Sequence, residues 1–167
     1  MINDPYERIK NQYHDAQGDS TNLFKEILIA ADQIGLDQAF AYLEDCVIEW
    51  RIAWIKQNLE EVKDTKRPVW DGYRLFYEVY LGLSTPEDGE IIEQSEHKIV
   101  SRWWNACPTL DACEKLGLDT REACKKAYHK PVQEFLIQIH PNLRFDRNYA
   151  CIRPHAPYCE EIIYLEA

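Results

Sequence analysis

The sequence predicts an α+β fold in which N-terminal helices pack on an antiparallel sheet, with a helix pair between strands and a C-terminal β-hairpin. Three observations predict this fold. Up to about residue 82, apolar residues recur at spacings of three and four, as on one face of a helix. From residue 90, and again after residue 143, β-branched and aromatic residues alternate with polar ones, as in half-buried strands. Between these alternating stretches lie two short helical patterns, each with a capping residue at its start.

The first half of the chain accounts for most of the helices. A polar start holds a short helix around Tyr6 to Tyr13, and Asn22 caps a second helix that ends at Gly35. Asp37 opens a longer helix with a broad aromatic face that another element must cover. A further helical segment follows residue 68, and its apolar face consists of Tyr73, Phe76, Tyr77, Tyr80 and Leu81.

The helix pair is predicted between the two groups of strands. Thr109 caps a short helix that Gly117 ends, and Asp119 or Thr120 caps the next helix. Pro131 either breaks this second helix or begins a new turn, because proline lacks the backbone N–H that a helix interior uses.

The strands are predicted in the second half of the chain. Residues 90–106 form one strand, or two strands with a tight turn near Glu93 to Glu96. Residues 143–151 and 159–167 alternate as two further strands. The stretch between them reads Cys-Ile-Arg-Pro-His-Ala-Pro-Tyr-Cys, which makes this nonapeptide the loop of an antiparallel hairpin.

Length and composition predict one domain over residues 1–167, mainly helical over 1–88 and strand–helix–helix–hairpin over 89–167. The net charge of −10 argues against nucleic acid as a partner, because such a chain repels phosphates. No apolar run is long enough to span a bilayer, and the start is too polar for a signal peptide, so we expect a cytoplasmic protein that does not enter membranes. In that reducing compartment the cysteines are thiols or metal ligands, and Cys46 and Cys113, inside amphipathic helices, are expected to be buried.

The other four cysteines lie at positions typical of metal knuckles. Cys107 lies where a strand gives way to a helix, Cys124 lies one turn into the second helix of the pair, and Cys151 and Cys159 bracket the hairpin loop around His155. Thiolate and imidazole groups drawn from such turns bind zinc or another divalent transition metal. The close ligand pairs of common zinc sites are absent from the sequence, and free cysteine often packs as a small hydrophobe, so buried thiols are the alternative.

Charged side chains gather in and beside the same hairpin. His155, Asp146 and Glu160 are the candidate catalytic groups, because an imidazole flanked by carboxylates can act as a general base. Arg147 and Arg153 are candidate substrate-binding groups, because a guanidinium clamps a carboxylate through two parallel hydrogen bonds. The alternative is a solvated hairpin face, and strand alternation requires one of the two neighbouring glutamates to point outward.

Aromatic residues near these groups predict a pocket for a small molecule. Trp103 and Trp104 precede Cys107, and Tyr149 and Tyr158 flank the hairpin loop. Aromatic walls with a few converging polar groups are typical of small-molecule sites, so Trp103 and Tyr149 are further candidate substrate-binding residues. The alternative is that such residues form ordinary core.

The order of these features resembles the family named after L-2-amino-thiazoline-4-carboxylate hydrolase. Residues 91–165 carry a strand that ends in a cysteine, a helix pair with a cysteine in its second helix, and a hairpin with Phe-x-Arg followed by Cys-acid. The resemblance implies a cytoplasmic hydrolase that opens a small ring at a C–N or C–S bond. In the hairpin loop, where family members carry a glycine, this chain has prolines at 154 and 157. The matching residues are Cys107, Cys124, Phe145, Arg147, Cys159 and Glu160.

The C-terminal part is also similar to the 4-vinyl reductase domain, a module that binds small molecules. In that domain, two loop cysteines seven residues apart and an upstream strand-end thiol hold zinc. Cys151, Cys159 and Cys107 match that pattern in spacing and order, and Asp146 is the nearest residue to its acidic position. This second resemblance implies a zinc site and a ligand pocket.

Two functions follow as hypotheses. The first is a hydrolase that acts on a cyclic C–N or C–S substrate such as a thiazoline carboxylate, with a small-molecule ligand as its partner. The second is a non-enzymatic, zinc-binding domain that senses a small molecule or binds a protein partner, and four protein ligands on the metal would favour it. A second copy of the chain would also cover the aromatic helix faces, so a homodimer is compatible with the sequence.

Overall fold

The fold was analysed in a computed structural model that describes residues 3–16 and 18–167. The helices, in chain order, are α1 (Pro5–Asp15), α2 (Thr21–Ile34), α3 (Leu36–Asn58), α4 (Pro68–Tyr73), α5 (Pro108–Leu116), α6 (Thr120–Ala123) and α7 (His129–Ile139). A 3₁₀ turn covers Leu59–Val62, and π-helical segments cover Arg74–Tyr80 and Cys124–Tyr128. The strands are β1 (Gly89–Gln94), β2 (Lys98–Trp103), β3 (Leu143–Asn148) and β4 (Cys159–Leu165).

The α+β prediction is confirmed, with helices in the N-terminal part and a pair of strands at the C-terminal end. The residues group into two compact units, each built from two stretches of chain. The first unit comprises Met1–Glu49 and Cys107–Lys130, and the second comprises Trp50–Ala106 and Pro131–Ala167. The expectation of one folding domain stays a prediction, because compactness alone does not show that a unit folds by itself.

The first unit is helical, and its core consists of the apolar faces of α1, α2, the start of α3, α5 and α6. Fully buried residues such as Phe24 and Phe40 meet edge to face, with ring centroids 6.5 Å apart. The helix starts differ slightly from those expected. Ser20 rather than Asn22 precedes α2, whereas Asp119 caps α6 as predicted, since its side chain accepts from the backbone N–H of Arg121.

Cys107 performs the capping role that the sequence assigned to Thr109. It is the N-cap residue of α5, and its Sγ accepts the backbone N–H of Leu110 at 3.5 Å. A thiol caps more weakly than a hydroxyl, but it serves the same unpaired donor at a helix start. One of the predicted metal ligands is therefore also part of a helix cap.

Pro131 neither breaks its helix nor begins a separate turn. Helical structure continues from α6 through the π-helical segment Cys124–Tyr128 into α7, which contains the proline. A proline ring collides with the carbonyl four residues earlier, here that of Ala127, in a regular α-helix. The wider π turn lies at that position, where it relieves the collision.

The second unit is built on a four-stranded antiparallel sheet with the order β1-β2-β4-β3. Residues 90–106 thus form two strands, the second of the two predicted alternatives. The C-terminal hairpin is confirmed, and β4 lies between β2 and β3 in the middle of the sheet. One sheet face is covered by α4, which contacts β2, β3 and β4.

The core of the second unit lies between this sheet face and the helices of the same unit. Trp103 from β2 stacks on Tyr77, with ring centroids 4.6 Å apart, and Trp54 stacks on Phe135 at 5.8 Å. The aromatic faces that the sequence predicted for the long helix and for residues 73–81 are covered here in part by aromatic partners. In the described part of the chain, no helix is long and apolar enough to cross a membrane.

We expect Gly89→Ala to lower the free energy of unfolding by about 1–3 kcal/mol, the usual effect of overpacking. A Cβ atom at Gly89 would overlap the backbone oxygen of Arg102 and lie 2.5 Å from the Trp103 ring. The matched control is Gly72→Ala, whose Cβ would first meet only the Leu136 and Leu143 side chains, at 3.1 and 3.2 Å. The higher helix propensity of alanine offsets that crowding in α4. Equal shifts of the urea midpoint for the two variants would contradict this interpretation.

Candidate functional site

Three polar residues form a continuous row across the covered face of the sheet. In the strand register, Ser101 of β2 lies opposite Glu161 of β4, which lies opposite Arg147 of β3. Directly paired residues of antiparallel strands project to the same face, so the three side chains are neighbours. The next row along the sheet is apolar and consists of Ile99, Ile163 and Phe145.

Glu161 is held from two sides. Its Oε2 accepts the Tyr77 hydroxyl at 2.5 Å, and its Oε1 accepts the Arg147 Nε–H at 3.2 Å. The Arg147 and Glu161 side chains are only 7% and 12% exposed, so water screens this ion pair weakly. The carboxylate therefore links the π-helical segment that carries Tyr77 to two strands of the sheet.

Strand β2 adds two residues to this group. The Trp103 indole N–H donates to Ser101 Oγ at 2.9 Å, and the Trp103 ring stacks on Tyr77. Ser101 lies directly opposite Glu161 in the strand register. We call Tyr77, Ser101, Trp103, Arg147 and Glu161 the Glu161 cluster.

Burial keeps the Tyr77 phenol in its protonated form. Burial raises the pKa of Tyr77 well above its ordinary value, and the negative charge of Glu161 is the second largest cause. At neutral pH the hydroxyl is consequently a donor, and the carboxylate is its acceptor. Arg147 also packs on the rings of Phe145 and Tyr149, with its guanidinium carbon 5.1 and 6.0 Å from the ring centres.

Of the predicted substrate-binding residues, Arg147 and Trp103 therefore lie in one cluster, and Tyr149 lies beside Arg147. Arg153 has a different environment, in the hairpin loop. Its Nη1 donates to the backbone oxygen of Asn105 at 2.6 Å. Its backbone N–H and its Nε each donate to Cys159 Sγ at 3.4 Å. Arg153 thus connects the loop to the end of the segment that follows β2.

The three predicted catalytic residues lie in the C-terminal hairpin, outside the Glu161 cluster. His155 is exposed in the hairpin loop. Asp146 is exposed on β3, and its Oδ1 accepts the backbone N–H of Arg147 at 2.8 Å. Glu160 projects to the opposite sheet face from Glu161 and pairs with Arg102, with 3.0 Å between Oε2 and Nε. Their catalytic roles stay predictions.

The predicted metal ligands fall in both units. Cys107 and Cys124 belong to the first unit, and Cys151 and Cys159 belong to the second; all four are partly buried. Across residues 3–16 and 18–167, no group of three or more His, Cys, Asp or Glu residues is arranged to hold a metal ion. The zinc site stays a prediction. Metal analysis of protein purified without a metal-affinity tag tests the zinc prediction directly.

Sequence reasoning missed Tyr77 and Ser101 as members of a site, and among the charged residues of the hairpin it chose Glu160 rather than Glu161 as a catalytic group. The alternation rule predicted that one of the two glutamates points inward, but β4 carries isoleucines at both 162 and 163, so either face could have been the buried one. Ser101 has a clearer signal, since it lies between Ile99 and Trp103 on the apolar face of β2. A small hydroxyl in such a stripe indicates a buried polar partner.

In comparisons with known proteins, no family model, no curated protein and no solved structure matches the chain.

We expect Tyr77→Phe to lower the free energy of unfolding by about 1–3 kcal/mol, because the largely buried Glu161 carboxylate loses a donor. Tyr73→Phe is the matched control. Tyr73 lies four residues earlier and is equally buried, at 1% exposed, but its hydroxyl has no hydrogen-bond partner among the described residues. Removing that hydroxyl should leave the stability unchanged or raise it. Equal destabilisation of both variants in urea would show that the Glu161 bond is not the cause.

We expect Cys113 and Cys46 to resist alkylation in the folded protein. Both thiols are buried, and burial raises the pKa of Cys113 to about 12 and the pKa of Cys46 above its ordinary value. The thiolate that iodoacetamide requires is therefore rare at about pH 8, well below these pKa values. Peptide mass spectrometry after brief labelling should find both residues unmodified, whereas labelling in urea should modify all six cysteines. Rapid labelling of Cys113 in the native protein would contradict its burial.

Proposed function

We propose that this protein hydrolyses a small cyclic substrate with a C–N or C–S bond in its ring, such as a thiazoline carboxylate, and that Glu161 is its acid–base residue. The observation that carries the proposal is the carboxylate of Glu161, which is held between the Tyr77 hydroxyl and the Arg147 guanidinium on the covered face of the sheet. The resemblance of Phe145, Arg147 and the Cys159-Glu160 pair to the thiazoline hydrolase family supports the same class of reaction.

Glu161 has the capacity and the position for proton transfer. An ionised carboxylate offers about four lone-pair sites, and two bonds to side chains are formed here, by Tyr77 and by Arg147. The remaining sites can accept a proton from water, and 12% of the Glu161 side chain is exposed. Two fixed partners also restrict the carboxylate to one orientation, which efficient general-base catalysis requires.

The proposed reaction needs no co-reactant other than water. The water oxygen forms a bond to the ring carbon between nitrogen and sulfur while Glu161 accepts a water proton. The ring C–S bond then breaks, and the sulfur leaves as a thiol after Glu161 returns the proton. The positive charge of Arg147 stabilises the carboxylate when it is ionised, and in this proposal it also attracts the carboxylate group of the substrate.

Tyr77 and Ser101 act through Glu161 and are positioning residues. Tyr77 donates to the carboxylate, and Ser101 lies directly opposite Glu161 in the strand register and accepts the Trp103 indole N–H. Because Tyr77 is buried, its hydrogen bond resists small displacements of the carboxylate.

The test compares two adjacent glutamates that project to opposite sheet faces. We expect wild-type protein to convert 2-amino-thiazoline-4-carboxylate to a product heavier by one water, as detected by mass spectrometry. Glu161→Gln should lower kcat by about 10²–10⁴-fold, the usual effect of removing a general acid–base group. Glu160→Gln removes the same charge one residue away and should leave kcat within a few-fold of wild type.

Circular dichroism and urea unfolding show whether each variant is folded. If Glu161→Gln is unfolded, Arg147→Lys keeps the positive charge but loses the guanidinium geometry, and it should lower kcat in a folded protein. Equal loss of activity in the Glu160 and Glu161 variants would show that Glu161 is not the acid–base residue. If wild-type protein converts neither this compound nor related thiazolidine and cyclic amidine carboxylates, the hydrolase proposal is wrong.

A further inference from the structure

A cleft of about 440 Å³ lies in the second unit, where the turn before α4 faces the β1–β2 turn. It shares no residue with the Glu161 cluster. Its volume lies within the range of small-molecule sites, roughly 300–1,000 Å³. The residues that line it are Lys66, Arg67, Pro68, Trp70, Gln94, Ser95, Glu96, His97 and Leu165.

The charge of the lining is opposite to that of the chain. Lys66 and Arg67 are two positive charges, Glu96 is one negative charge, and His97 adds a further positive charge when protonated. The whole chain carries a net charge of −10, so a positive site on it is unusual. Lys66 and Arg67 form no ion pair with any carboxylate in the described residues, although the chain has 29 acidic residues.

Arg67 is held in place by contacts that leave its charge uncompensated. Its guanidinium carbon lies 5.7 Å from the centre of the Trp70 ring, and Trp70 stacks on the buried Tyr73 at 5.6 Å. The backbone N–H of Arg67 donates to Thr65 Oγ1 at 3.0 Å, and its carbonyl accepts the backbone N–H of Asp71 at 2.9 Å. The turn that presents Arg67 is therefore ordered before any ligand binds.

The opposite wall is braced in a similar way. Ser95 Oγ accepts the backbone N–H groups of His97 and Lys98 at 3.2 and 3.0 Å. The backbone carbonyl of His97 accepts the N–H of Leu165 at 2.9 Å, which joins the turn to the end of β4. Hydrogen bonds thus hold the backbone of the turn that carries His97, which lines the cleft together with Lys66 and Arg67.

We infer that this cleft is a binding site for a small molecule that bears an oxyanion group, either a carboxylate or a phosphate. Arg67 and Lys66 bind the oxyanion, because charged hydrogen bonds to guanidinium and ammonium groups are the strong ones available there. Pro68, Trp70 and Leu165 supply an apolar wall for the rest of the molecule. Glu96 opposes an anion, so it limits affinity and rejects ligands that carry excess negative charge.

Because Glu96 and Arg67 carry opposite charges, removing each charge should change the affinity for an anion in opposite directions. We expect succinate and inorganic phosphate, added separately to ¹⁵N-labelled wild-type protein at low salt, to shift the backbone amide resonances of the cleft. Arg67→Gln should weaken the affinity for the bound anion about tenfold, and Lys66→Gln should weaken it to a smaller extent. Glu96→Gln should tighten binding, because it removes a repulsive charge.

Lys63→Gln is the matched control, since it removes an exposed positive charge in the same segment but outside the cleft. It should leave the dissociation constant within about two-fold of wild type, as expected for a distant, screened charge. The probe that binds with the lower dissociation constant, succinate or phosphate, identifies the preferred oxyanion as a carboxylate or a phosphate. The inference is wrong if no amide resonance of the cleft shifts at about 10 mM of either probe, a concentration at which a millimolar ligand is detectable. It is also wrong if Lys63→Gln and Arg67→Gln weaken anion binding equally, or if Glu96→Gln weakens anion binding.

Discussion

The negative charge of the Glu161 carboxylate needs a partner charge and hydrogen-bond donors at its largely buried position. Much of the second unit is arranged to supply them. A charge taken out of water is stable only with a partner charge and hydrogen bonds, and removing one partner of a buried pair costs about 3–5 kcal/mol. Arg147 supplies the charge and Tyr77 supplies the second donor. These partners come from β3 and from the π-helical segment, so one carboxylate connects the hairpin strands to a segment 84 positions earlier in the chain.

This compensation depends on the strand register. A slip of one residue between β4 and its neighbours would place Glu160 and Ile162 on the covered face and would turn Glu161 to the opposite face, away from Tyr77. In the observed register the apolar row of Ile99, Ile163 and Phe145 lies beside this polar row on the covered face. Polar and apolar rows therefore support one arrangement of the sheet, which is the consistency expected of a well-specified fold. The cleft at the β1–β2 turn lies at the other end of these strands and uses surface charges instead.

Much of the fold could be predicted because its signals are local. The hairpin around residues 151–159, the cap at Asp119 and the two-strand alternative for residues 90–106 all follow from periodicity, turn residues and capping chemistry. The errors are local as well. Pro131 was expected to interrupt its helix or begin a new turn, but a π-helical segment accommodates it, and Cys107 replaces Thr109 as a cap. The candidate site was harder, since the predicted catalytic carboxylate Glu160 pairs with Arg102 on the other sheet face.

By itself, the sequence determined the α+β class, the order of the elements, the acidic character and the stripes of apolar residues, because each of these depends on neighbours within a few positions. Only the tertiary structure decided which glutamate is buried, which tyrosine donates to it, and that Lys66, Arg67 and His97 line one cleft. These facts depend on which strands pair and in which register. Packing of the π-helical segment on the sheet brings together Tyr77 and Glu161, which are 84 positions apart, and no local pattern encodes that contact.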